Sequence, residues 1–394
     1  MKAEDFHQAM RPVNEACLLA KSGWICLSNP LVGWGEEGMI RWKIGILLRH
    51  IALVFRCFKK ASFPHILIRE FSSVPLLLVF PFLLPLRKKL FFMVHQNIQW
   101  AAQRKSEKIA LLLLSKLGAR WAILETQEFS GFEKFNIPSE KNLVLPHPCD
   151  AMRLKSGRAS LSQGLSKLRS ERAVIGVAGY YRAEKGMDEL VCLLRKTFPE
   201  FGILLGVPNP EAVKHLDVET IDTSTDEAYR EMISRCDVLV FNHRPEGYFY
   251  RASGPVADAA ACGTAVVTPD FPILGKQVAG IGETFHPLTA PTKAPKRARR
   301  SRSTYENLRQ LGGRRPPGGD DLDFCRANQP LETGSAGLSL PAAVRRAIEK
   351  ARNVEYDFET YCAARSARAI AKQLDEFHIE KSKKTKEGLA ATQM

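Results

Sequence analysis

The feature that most constrains this 394-residue chain is an alternation of short, nearly unbroken apolar runs with longer runs whose apolar residues recur at helical spacing. WICLSN at 24–29, HILIRE at 65–70, KLFFMVHQ at 89–96, WAILET at 121–126 and NLVLPHP at 142–148 read as strands. The segments 40–60, 74–86 and 102–118 between them read as helices. Strands apolar on both faces belong in a parallel sheet covered on both sides, and strand–helix repetition is the pattern of a doubly wound α/β fold. The pattern restarts with AVIGVAG at 173–179, a helix over 186–197, FGILLGV at 201–207, a helix over 226–235, DVLVFN at 237–242, a short helix after Gly254 and TAVVTPD at 264–270. Two Rossmann-like doubly wound domains in tandem are expected, 1–150 and 172–286, joined by a Ser/Arg-rich linker at 151–171. Ligands of such sheets collect at the carboxyl ends of the strands, in the cleft. The first domain opens on a helix-like run, with no apolar strand before residue 24, where one would normally stand.

Fifty-seven Lys and Arg against 42 Asp and Glu leave a net charge of +15, which favours an anionic partner. Much of the excess sits between Pro291 and Arg315, with nine Lys or Arg and one acid. The surrounding 287–340 is rich in Pro, Gly and Arg and lacks a period, so it reads as a low-complexity, disordered insertion. Helices are expected over 341–378 and a disordered tail over 379–394. The nine scattered cysteines hold no C-x-x-C pair, which argues against a zinc site or a disulfide framework and for a reducing cytoplasm. VPLLLVFPFLLPL at 74–86 is too short to span a bilayer and carries three internal prolines.

The chemistry concentrates in the second half. Arg182 and Lys185 in GYYRAEKG follow a strand and would place two cations at its carboxyl end, where they could neutralise a diphosphate as it leaves. In YRASGPVADAAACGTAVV, at 250–267, Ser253 or Gly254 suits an N-cap and Pro255 the first helical position, so a helix N-terminus could receive the same phosphates. Each motif alone also fits ordinary helix starts; their convergence across one set of strand ends favours a ligand. No D-x-D-like metal motif stands at a strand end, since GGDDLD at 318–323 falls in the low-complexity tract.

These motifs resemble the nucleotide-sugar-dependent glycosyltransferases of the GT-B fold, of the family 4 (group 1) type. GYYRAEKG is similar to that family's diphosphate-binding element, and CDVLVFNHRPEGYFYRASGPVADAAACGTAVVTPD to its donor-binding stretch. KNLVLPHPCD at 141–150 resembles the interdomain segment, and YDFETYCAARSARAIAKQL at 356–374 the C-terminal helix that crosses back to the first domain. The resemblance implies sugar transfer from a nucleoside-diphosphate sugar to an acceptor hydroxyl in polysaccharide, lipopolysaccharide or glycolipid assembly, with no metal and no cofactor beyond the co-substrate. It assigns the donor diphosphate to Arg182, Lys185, Ser253 and Gly254, and the vicinity of the donor sugar and nucleotide to Glu246, Tyr250, Arg251 and Asp258. His95, in FFMVHQN, would stand near the transferred sugar and acceptor as the catalytic side chain. His147 and His243 also stand at strand ends as weaker candidates. Many members carry two glutamates eight residues apart; here Tyr250 occupies the first position and Asp258 the second. The alternative is therefore a catalytically impaired relative that binds nucleotide-sugar without turnover. The acceptor would be a saccharide or lipid-linked saccharide. The basic, amphipathic 40–60 helix and the RKK after the 74–86 run suit a cytoplasmic protein peripheral on an anionic membrane surface. The Arg-rich tract without interleaved aromatics argues against nucleic acid as a partner.

Overall fold

The computed structural model describes residues 13, 15–16, 23–27, 39–94, 96–126, 142–149, 172–179, 181, 187–287 and 338–392, with the side chains of 39–43 and 381–392 excepted. The expected linker at 151–171 and nearly all of the 287–340 tract lie outside these residues.

The first sheet is built from β1 (Trp24–Leu27), β2 (His65–Ile68), β3 (Leu90–Val94), β4 (Arg120–Leu124) and β5 (Leu143–Leu145), all parallel and ordered 1-2-3-4-5. Among the described residues four helices connect them: α1 (Met39–Lys59), α2 (Ser73–Leu83), α3 (Asn97–Gln103) and α4 (Lys105–Lys116). The segment 102–118, which the sequence reads as one helix, belongs to two, because Arg104 takes extended dihedrals between them.

The second sheet is also wholly parallel. It comprises β6 (Val174–Ala178), β7 (Gly202–Val207), β8 (Glu219–Asp222), β9 (Val238–Val240), β10 (Ala265–Pro269) and β11 (Gly282–Phe285), in the order 11-10-9-6-7-8. The reversal between β6 and β9 is the switch of a doubly wound sheet; the first sheet runs in chain order throughout. Helices α5 (Met187–Thr197), α6 (Asp226–Ser234), α7 (Pro245–Tyr248), α8 (Gly254–Ala261) and α9 (Pro272–Val278) lie between its strands. The chain then continues through α10 (Leu340–Arg352), α11 (Phe358–Ala364) and α12 (Ala367–Thr392). Backbone helix thus continues through 379–392, where composition reads as a disordered tail; its Lys, Glu and Ala residues are strong helix formers.

Pleat alternation divides the first sheet cleanly. Leu27, Ile66, Ile68, Phe92, Trp121 and Ile123 face the crossover helices, burying Leu53, Phe80, Leu83 and Leu114. Trp24, Leu67, Phe91, Met93, Ala122 and Leu145 face the other way, and there α12 covers them with Ile370, Ala371 and Leu374. Polar bonds fix that docking: Trp24 Nε1 donates to the Leu374 carbonyl at 3.1 Å, and His65 Nε2 meets His378 Nδ1 at 2.8 Å. Leu374→Ala should cost about 2–5 kcal/mol in urea unfolding, whereas Ala at Lys372, which is 80% exposed along its side chain, should change stability by under about 0.5 kcal/mol.

Candidate functional site

The second sheet sets the site's position. Because β6 pairs directly with β9, the segments leaving their carboxyl ends start side by side. Gly179 follows β6 at φ 120, a conformation that suits glycine, and its N–H donates to the Gly206 carbonyl at 2.9 Å. The chain then enters 182–186, so Arg182 and Lys185 lie outside the described residues, as does His95 after β3. Their flanks are placed. Tyr181 Oη donates to Asp188 Oδ2 at 2.8 Å, and Glu189 in the first turn of α5 pairs with Arg244 at 2.6 Å. Arg244 directly precedes α7, so the post-β6 helix is tied to the post-β9 segment.

That post-β9 segment leads to Ser253 and Gly254 at the start of α8. Ser253 takes extended dihedrals suited to an N-cap, yet its hydroxyl does not cap the helix. It lies 3.2 Å from His243 Nε2 instead. Gln277 of α9 holds the Ser253 backbone from both sides, accepting from its N–H and donating to its carbonyl, each at 2.8 Å. Tyr361 of α11 donates to the Gln277 carbonyl at 2.9 Å. The helix start is therefore fixed from outside, while its first-turn amides point along the axis with the positive end of the helix dipole. His243 itself is buried, with its ring stacked 3.7 Å from that of Tyr248.

The residues assigned to the donor's surroundings precede this helix along the chain or lie within it. Glu246 lies on α7, and its carbonyl accepts from Gln99 Nε2 at 2.8 Å and also from Gln103 Nε2. Gln99 of α3, itself buried, donates to the Pro245 carbonyl at 3.0 Å and accepts from the Tyr250 N–H at 3.0 Å. The Tyr250 ring is half-buried against the first sheet's core, and burial pushes its hydroxyl above the usual range. Arg251 lies with its guanidinium 4.9 Å from the Tyr248 ring. Asp258 stands on α8 one turn beyond Gly254. Glu246 thus lies on α7, Tyr250, Arg251 and Ser253 in the segment that joins it to α8, and Gly254 and Asp258 on α8 itself.

A buried group that the sequence did not disclose adjoins them. Glu125, just past β4, has a left-handed φ of 69° and a carboxylate 2.8 Å from Arg365. Burial pushes Glu125 upward and Arg365 opposes that shift. The same carboxylate accepts from the His147 N–H at 2.8 Å, and Arg365 lies 3.8 Å over the Tyr361 ring. Cys149 and Cys362 bring their sulfurs to 3.2 Å nearby. This cluster joins the ends of β4 and β5 to α11. The only hint in the sequence is an acid at the end of an apolar run.

Among the described residues, no group of three or more His, Cys, Asp or Glu could hold a metal ion.

No family model matches the chain. No curated protein matches it. Solved structures match it in fold. Trehalose 6-phosphate synthase from Burkholderia multivorans aligns with a TM-score of 0.51 over 97% of this chain and 84% of that one, at 11% identity. HepE from Anabaena in complex with UDP aligns at 0.50 over 93% and 96%, with 13% identity. The E. coli trehalose-6-phosphate structure bound with UDP-2-fluoro glucose aligns at 0.50 over 87% and 79%, with 10% identity. The chain shares their GT-B fold, with two parallel Rossmann-like sheets.

Burial holds His147 neutral, lowering its pKa from 6.5 to about 4, with Arg365 and Arg251 adding repulsion. The unfolded chain binds that proton more readily, so stability present above about pH 6.5 should fall as pH drops towards 4, by up to about 3 kcal/mol. His65, also lowered to about 4, acts in the same direction. Urea midpoints at about pH 7 and about pH 4.5 should differ less in His147→Gln than in the parent; an equal difference would refute the assignment to His147.

Proposed function

We propose that this chain is a glycosyltransferase of the family 4 type, moving a hexosyl-like sugar from a nucleoside-diphosphate sugar to an acceptor hydroxyl. The observation that carries the reading is the β6–β9 adjacency, which starts the Arg182–Lys185 segment and the approach to Ser253–Gly254 from neighbouring strand ends. The fold likeness to structures holding UDP and UDP-2-fluoro glucose supports a nucleotide-sugar donor.

In this reading Arg182 and Lys185 neutralise the diphosphate as its bond to the sugar breaks, and the first-turn amides of α8 take the remaining phosphoryl oxygens. The protein then supplies the positive charge that a metal would otherwise bring. Glu246, Tyr250, Arg251 and Asp258 border the sugar and nucleotide. His95 is the proposed catalytic group at the acceptor side, handling the proton of the attacking hydroxyl. Closure of the two halves excludes water, which would otherwise compete with the acceptor. The acceptor is a saccharide or lipid-linked saccharide of polysaccharide, lipopolysaccharide or glycolipid assembly, reached at the cytoplasmic face of a membrane.

Thermal shift against UDP-, GDP- and ADP-sugars should give one strong hit, identifying the nucleotide. With that donor, Arg182→Ala together with Lys185→Ala should lower kcat/KM for donor hydrolysis or transfer by about a thousandfold. Turnover equal to the parent's in the double variant would remove this mechanism, and donor binding without turnover in the parent would favour the impaired relative.

A further inference from the structure

A helix packed on a sheet ordinarily buries one apolar stripe and turns a polar face to water. Helix α1 does not. It buries Leu53, Val54 and Cys57 against the sheet, yet its outward positions are Ile44, Leu48, Ile51, Phe55 and Phe58. Their spacing of four, three, four and three makes a single stripe along the helix. Phe55 is 71% exposed. The neighbouring α2 adds Leu78 and Phe82, exposed by 63% and 67%, and α4, packed on the far side of α2, adds Ile109 and Leu113. The same layer thus turns apolar side chains outward from three adjacent helices.

The charges of the layer are nearly all of one sign. Segments 44–60, 73–90 and 104–118 carry four, three and four Lys or Arg, and Glu107 is their one acid. At the end of α2 a shallow depression is lined by Pro81, Leu84, Pro85, Arg87 and Lys88, which sets two cations beside apolar rings. An apolar surface rimmed by cations is complementary to a bilayer whose head groups are anionic. It is a poor match to a second copy of itself, since a symmetric pairing would bring like charges together. No helix among the described residues is long and apolar enough to cross a membrane, so contact is parallel to the surface.

We propose that the outer layer formed by α1, α2 and α4 is the surface by which this protein docks on an anionic lipid bilayer, with Phe55, Phe58, Leu78 and Phe82 entering the acyl boundary and Arg56, Arg87 and Lys88 meeting head-group phosphates. The inference rests on the proposed transfer reaction only in making the acceptor lipid-borne; the docking itself is independent of it.

The test is sedimentation of the purified full chain with vesicles of phosphatidylcholine alone and of phosphatidylcholine mixed with phosphatidylglycerol. The parent should partition onto the mixed vesicles at least tenfold more strongly than onto the neutral ones, each engaged cation contributing about fivefold, and rising salt should reduce the difference. Phe55→Ser with Phe82→Ser should lower partition onto mixed vesicles by about tenfold or more, with an unchanged melting temperature because both rings are largely exposed. Arg87→Glu with Lys88→Glu should lower it on mixed vesicles and leave the neutral ones unaffected. Absence of the parent from both pellets, equal partition of the double Ser variant, or a lipid-free oligomer that the Ser changes disperse would each overturn the proposal. Nucleotide-sugar binding by thermal shift, run without lipid, separates the two ideas: docking without donor binding removes the transfer reading alone, and donor binding without docking removes the surface alone.

Discussion

A parallel sheet whose strands follow one another in chain order receives its right-handed crossovers on a single face. The first sheet of this protein is wound in that way, and α1 to α4 all cover the face bearing Ile66, Phe92 and Trp121. The opposite face, with Trp24, Leu67, Phe91 and Met93, needs a cover from elsewhere, and α12 supplies it from 350 residues away at the Trp24–Leu374 bond. Burying that face removes several large side chains from water, each worth about 1.5–3 kcal/mol. The first sheet therefore owes much of the cover of one face to the end of the chain, with Val13, Ala16, Ala252 and Ile273 packed into the same cluster. The C-terminal helices serve both sheets in passing: α10 packs on β9, β10 and β11, α11 on α8, and α12 on the first sheet.

The bonds that join the two sheets differ in kind. On one side a buried carboxylate, Glu125, faces Arg365 with the His147 N–H and the Tyr361 ring around them. Such a pair recovers its desolvation cost only while both partners stay together, and losing either would strand a charge. On the other side Gln99 exchanges neutral amide bonds with the backbone of 245–250. Water can replace those bonds at little net cost. The charged, buried junction at the ends of β4 and β5 and the neutral one at α3 thus differ in what it costs to break them, and the neutral one costs less.

The strands were legible because burial on both faces leaves continuous apolar runs, as in LFFMV at 90–94. β8 and β11 were not, since ETID and GETF are largely polar and sit at the two edges of the sheet, where most of their side chains stay partly exposed. The start of α8 was legible from Ser253 and Pro255, but the destination of the Ser253 hydroxyl was not: sequence places an N-cap, whereas the fold turns that oxygen towards His243. Gln277 and Gln99 carried no signal, because an amide in a helix looks the same whether it meets solvent or clamps a distant backbone. The winding of the first sheet was equally hidden, as strand order is not encoded in the period of any one segment.

Helix α1 shows where periodicity has two readings. An apolar stripe at helical spacing normally marks the face towards the core, and 40–60 contains enough apolar residues for more than one stripe. The fold assigns Leu53, Val54 and Cys57 inward and leaves Ile44, Leu48, Ile51, Phe55 and Phe58 outward. A polar outer face would have closed the layer equally well, so packing does not require the outward set. What packing does supply is alignment: α2 fixes Leu78 and Phe82 beside α1, and α4 fixes Ile109 and Leu113 beside α2. The helices that cover the sheet on one side therefore act as a rigid platform on the other. A rigid apolar platform binds a fluid surface without ordering side chains anew, which lowers the entropy cost of association.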